Sequence, residues 1–183
     1  MKHIFLLLSL FTSLAASAQM VTPERKRYMR PKKDEECALV FNVTKNTDED
    51  SQKDASMTRV VYRPYAELLT ALDAMREMNR WADSTYQSRF KNLAPAGELQ
   101  VTMYRRGAQN ADPSALSLSA KTKEGKEVFA QTLTAGSGRF WNQDQYKSER
   151  TIPFVKMEMP QPLTLIITDA KLKQDFEYII NVQ

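Results

Sequence analysis

Short apolar, β-branched runs open the pattern. "CALVFNVT" (37–44) and "MTRVVYR" (57–63) each read as a strand. Between them, "KNTDEDSQKDAS" is a polar, acidic loop too long for a tight hairpin. From Pro64 to Asn92 the period changes. Leu68, Leu72, Met75, Ala82, Tyr86 and Leu93 recur at threes and fours, with Leu69 and Trp81 widening the stripe. Pro64 suits a first helical turn, and Pro95 with Gly97 closes the run, so a helix is expected over 64–92. At 1.5 Å per residue it would be a rod of about 40 Å, long for a small domain. Asn79 on the apolar stripe, followed by Asp83-Ser84-Thr85, makes a kink or two shorter helices the natural alternative.

Beyond the helix the period returns to two. All five glycines lie at or after Gly97, as a turn-rich β region requires. "ELQVTMYR" places Leu99, Val101 and Met103 on one face, and "ALSLSAKTKEGKEVFAQTL" reads as two strands turning at Glu124-Gly125. "TIPFVKM", "PLTLIIT" and "FEYIINV" add three more, the last with Phe176, Tyr178, Ile180 and Val182 on one face. The expected fold is therefore α+β: an antiparallel β-sandwich of about eight strands, immunoglobulin-like or C2-like in rhythm, with one long or kinked amphipathic helix inserted after the second strand. Residues 37–183 are read as one domain, with a main β region at 98–183; the helix either packs across a sheet or projects as a contact arm. The two early strands need partners, and the C-terminal strands are the expected source. The cysteine-tryptophan-cysteine signature of immunoglobulin domains is missing, and architecture of this kind carries no activity with it.

The N-terminus changes the picture from fold to compartment. Lys2, the apolar stretch Ile4–Leu14 and the small-residue site Ala16-Ser17-Ala18 read as a cleavable signal peptide over residues 1–18, of bacterial type. The stretch is too short for a bilayer core, which takes roughly 20 apolar residues. Export to the periplasm or beyond is expected, without lipidation, because Cys37 lies far from the cleavage site. Removing 18 of 183 residues leaves 165, with 25 basic and 22 acidic groups once Lys2 is gone. That mild excess of three, outside the cytoplasm, argues against nucleic acid as partner. Residues 19–36 read as a flexible basic leader. Its Arg25, Lys26, Arg27, Arg30, Lys32 and Lys33 are candidate contacts for an anionic envelope surface, set against a plain solvated leader.

Candidate chemistry narrows further. His3 leaves with the signal, so the mature chain would hold no histidine and a single cysteine. This removes Ser-His-Asp and Cys-His arrangements, the usual nitrogen ligand of zinc, and any intramolecular disulfide. Ser88 and Lys91 match S-x-x-K without companion motifs, and Asp48, Glu49, Asp50 and Asp54 lack the spacing of a calcium loop. Gly136-Ser137-Gly138 lacks the strand-to-helix context of a phosphate cradle and reads as a turn. No enzyme, cofactor or metal is expected. The surface feature of interest is "GSGRFWNQDQYKSER" (136–150), a loop in which Arg139, Phe140, Trp141 and Tyr146 are candidate contacts for a protein partner or a glycan, or else a plug for the sandwich end. Met75, Met78 and Trp81 form either a stripe for another protein or ordinary packing onto the sheet. The function expected is an exported, non-catalytic envelope or secreted interaction module that binds another protein. The alternative is a carbohydrate-binding module, which requires Trp141 and Tyr146 to lie exposed and coplanar on one surface.

Overall fold

In the computed structural model, residues 38–44 and 56–182 are described. Two antiparallel sheets face each other across one apolar core. The first has five strands in the order β1-β9-β8-β4-β5: β1 (Val40–Asn42), β4 (Leu116–Lys121), β5 (Glu127–Thr132), β8 (Pro162–Asp169) and β9 (Gln174–Asn181). The second has four in the order β2-β3-β7-β6: β2 (Met57–Arg63), β3 (Glu98–Arg106), β6 (Arg139–Asn142) and β7 (Gln145–Pro153). Two helices, α1 (Tyr65–Asn79) and α2 (Asp83–Lys91), follow β2 in the chain.

Alternation does what the pattern requires. Val60 and Tyr62 on β2, Leu99, Val101 and Met103 on β3, and Ile152 on β7 turn inward from one sheet; Leu116, Leu118, Leu163, Leu165, Ile167, Tyr178 and Ile180 meet them from the other. At ~25 cal/mol per Å², burying such side chains is the main source of stability in a chain held by packing. The sheets are also joined by polar contacts: the Tyr178 hydroxyl donates to the Thr58 carbonyl (2.9 Å), and Arg105 on β3 reaches Asp169 at the end of β8.

Several expectations change. Of the described part of the first apolar run, Val40–Asn42 pairs as a strand, joining β9 in the register Val40↔Ile180. C-terminal partnering holds for β1 but not for β2, which pairs with β3 (Val60↔Val101). "TIPFVKM" is not a strand of its own: Thr151–Pro153 end β7, and Phe154 turns into the core. Among the described residues there are nine strands rather than about eight, because the expected loop at 139–146 is the β6–β7 hairpin.

Over 64–92 the chain forms two shorter helices, the alternative to one long rod. α1 stops where Arg80 takes a left-handed conformation (φ 50°), with its N–H bonded to the Glu77 carbonyl and that of Trp81 to the Arg76 carbonyl. Pro64 precedes α1, and its carbonyl accepts from Glu67 and Leu68. At the other end, Gly97 returns the chain to β3 at φ 81°, where an added Cβ would run into the Arg63 carbonyl oxygen. No helical residue belongs to the core cluster. Leu68 and Leu72 are buried at the base of α1, but the stripe then leaves the protein: Met75 is 50% and Met78 79% exposed. No described helix is long and apolar enough to cross a membrane.

Candidate functional site

The β6–β7 hairpin carries the four aromatic-loop candidates. Asn142 pairs with Gln145 across a two-residue turn, and Gln143 supplies the positive φ (52°) that such a turn demands. The turn is fastened to the end of β3: the Gly107 N–H donates to the Asp144 carbonyl (3.0 Å), and Arg106 Nε meets Asp144 Oδ2 at 2.6 Å. At the other end of β6, the crossover from β5 is clamped by Arg150, whose guanidinium donates to the Thr134 and Ala135 carbonyls (3.2 and 2.9 Å). Its Nη2 occupies the space where a Cβ on Gly136 would stand. Gly136-Ser137-Gly138 is thus part of an inter-sheet crossover; the Gly136 N–H donates to Asp112 Oδ1 (3.1 Å).

Trp141 is the extra residue of a bulge, since Phe140 pairs with Tyr146 and Asn142 already with Gln145. The bulge sorts the aromatics onto two faces. Phe140 and Tyr146 lie directly opposite each other with ring centroids 5.8 Å apart. Trp141 turns to the other face, where it meets Tyr104 edge-on (5.7 Å) and lies under Lys147 Nζ (5.5 Å). Arg139, the register partner of Lys147, shares that face. Lys147 is held by Glu149 (3.1 Å), which also accepts from Gln100 Nε2 (2.5 Å). Burial pushes the Glu149 carboxyl up, but the Lys147 and Gln100 contacts and the Arg139 charge outweigh it and leave the group below its ordinary range. The result is an aromatic ring set among fixed charges of both signs.

Neither Phe140 (65% exposed) nor Trp141 (44%) plugs the sandwich, and Trp141 and Tyr146 share no surface. The coplanar platform required for sugar stacking is therefore not formed by this pair. The contributions of Tyr104 and Lys147 escape a reading of the 136–150 segment alone; the clue is alternation in "ELQVTMYR", which turns Tyr104 away from the core.

The helices form a second projection. Tyr86 on α2 donates to Asp73 Oδ1 on α1 (2.6 Å), Arg76 meets Asp83 (2.5 Å) and lies over the Tyr86 ring (4.6 Å), and Arg89 covers Trp81 (4.2 Å). The hydrogen bond to Asp73 raises the Tyr86 pKa. No residue of α2 is buried, so polar and cation–π contacts rather than an apolar seam join the pair, and Met75 and Met78 are left facing outward. Ser88 and Lys91 both sit on exposed α2 turns.

The basic residues Arg25, Lys26, Arg27, Arg30, Lys32 and Lys33, the acidic run at 48–50 with Asp54, and Cys37 lie outside the described residues. Among the described residues no group of three or more His, Cys, Asp or Glu side chains could hold a metal ion. No family model, curated protein or solved structure matches the chain, so its function has to be read from the chemistry of its own surface.

Proposed function

We propose that the protein is an exported, non-catalytic interaction module of the bacterial envelope or its surroundings, and that it binds another protein through the outer face of the β6–β7 hairpin. The observation that carries this reading is the setting of Trp141. A half-exposed indole is held in place by Tyr104 and Lys147, beside Arg139, on a hairpin fastened at both ends. Pre-positioned aromatic side chains flanked by charges are the usual anchors of protein interfaces, because they bury large area at little entropic cost. The exposed methionines of α1 offer the same partner, or a second one, an adaptable apolar stripe. The immunoglobulin-like or C2-like assignment belongs with this proposal: two all-antiparallel sheets support it, and it adds no activity.

The test is crosslinking and recovery of the exported protein from its native envelope, comparing the unaltered chain with Trp141→Ala and Phe140→Ala. One stoichiometric protein partner, lost in Trp141→Ala and retained in Phe140→Ala, supports the reading. Recovery of polysaccharide alone, or a chain found in the cytoplasm with its first 18 residues still attached, overturns it.

A further inference from the structure

The four sheet edges among the described residues are not alike. β1 offers three residues, β6 is short and bulged at Trp141, and β2 carries Arg59 and Arg63, charges of the kind that discourage strand addition. β5 is different. After a bulge that places Val128 between the pairs Lys121↔Glu127 and Ala120↔Phe129, the stretch Phe129-Ala130-Gln131-Thr132 continues in register with β4 and carries neither charge nor proline.

The direction of its free backbone groups follows from one hydrogen bond. The Leu133 N–H donates to the Leu116 carbonyl, and the register continues as Thr132↔Ser117 and Gln131↔Leu118. Alternate residues of an antiparallel pair bond to the partner, so Leu133, Gln131 and Phe129 use their N–H and C=O on β4. Those of Ala130 and Thr132 point away from the sheet. Their side chains, small and exposed, lie on the outer face beside Ser117, Ser119, Ile166 and Thr168, which together line a shallow trough.

The geometry points to a second copy of this chain as the occupant of this edge, paired β5 to β5 antiparallel about a two-fold axis through Gln131. In that register Ala130 of each copy faces Thr132 of the other, and the four outward N–H and C=O pairs are satisfied reciprocally. Isologous pairing asks each residue to tolerate its own image. Gln131, which would meet itself on the axis, has an amide that both donates and accepts, whereas a charge there would repel its copy. Lys126 and Glu127 fall beyond the paired stretch, so no like charges oppose each other. The product is one ten-stranded sheet built from two five-stranded ones. Four residues of edge bury much less than the roughly 1,600 Å² of a standard stable interface, so association is weak and concentration-dependent.

Sedimentation equilibrium of the purified protein from about 5 µM to about 500 µM, a range suited to interfaces of this size, reads the association. Hydrogen exchange reads whether the Ala130 and Thr132 amides gain protection as concentration rises. Ala130→Pro removes an outward N–H without touching a bond to β4 and should weaken dimerisation at least about tenfold at an unchanged melting temperature. Gln131→Lys and Gln131→Glu should each be monomeric alone and form a heterodimer when mixed. A monomer throughout the concentration range overturns the proposal. So does a dimer indifferent to Ala130→Pro and to both Gln131 variants, since it would be built elsewhere on the molecule.

Discussion

Arg105 occupies the core-facing series of β3 after Leu99, Val101 and Met103, where alternation calls for an apolar side chain, and it is 1% exposed. It is tolerated because every direction but one is filled. Nη2 donates to Asp169 Oδ2 (2.6 Å) and Thr58 Oγ1 (2.7 Å), and Nη1 to the Met57 and Tyr104 carbonyls (2.7 and 2.8 Å). Asp169 is itself completed by the Lys171 and Leu172 N–H groups (2.9 Å each), which fold the β8–β9 turn. The pair thus ties both sheets and one turn together. Asp169→Ala leaves a guanidinium buried without its counter-charge and should cost about 3–5 kcal/mol in urea unfolding, whereas Arg105→Met combined with Asp169→Asn should cost clearly less than the sum of the single changes.

Tyr178 belongs to the same polar layer, and burial raises its pKa well above 10. The folded state therefore holds the proton after the unfolded chain has released it. Stability from this group is complete below about pH 10 and declines above it, by about 1.4 kcal/mol per pH unit. At pH 8, Tyr178→Phe should cost about 1 kcal/mol for the lost bond to Thr58. The difference should vanish near pH 11 and reverse beyond it; a penalty independent of pH would refute the assignment.

At the scale of elements, the stripe of α1 starts buried at Leu68 and Leu72 and continues as exposed surface at Met75 and Met78. Leu72→Ala should lower stability by about 2–3 kcal/mol, while Met75→Gln and Met78→Gln should stay within about 0.5 kcal/mol in the same thermal melts. The apolar period of 3.6 was legible in the sequence, and so were the strands at 57–63 and 98–105. Which turns of the helix meet the sandwich was not, because periodicity records that a face is apolar and not whether anything covers it. β6 escaped for a related reason: Arg139, Phe140, Trp141 and Asn142 do not alternate in polarity, since both faces of an edge hairpin reach solvent.

For the whole molecule, sequence separation governs how the fold is reached. β1 pairs with β9, so Val40 meets Ile180 from the far end of the chain, and β4 meets β8 as Leu118↔Ile167. Loops this long must close before the pairings stabilise anything. Refolding after denaturant dilution should therefore take milliseconds to seconds, as in other sandwiches of high contact order; microsecond refolding would contradict this topology.

The sequence by itself determined the alternating strands, the helical region after β2 and the turn at Gly125, because these rest on periods of 2 and 3.6 and on turn chemistry, all set by a few adjacent residues. Tertiary structure alone decided that Trp141 and Tyr146 part company across a bulge, that Arg105 finds Asp169 64 positions away, and that β5 is an edge of its sheet among the described residues. Each depends on which strand lies beside which and in what register. Pairing energy is shared between distant segments, and neither segment carries it alone.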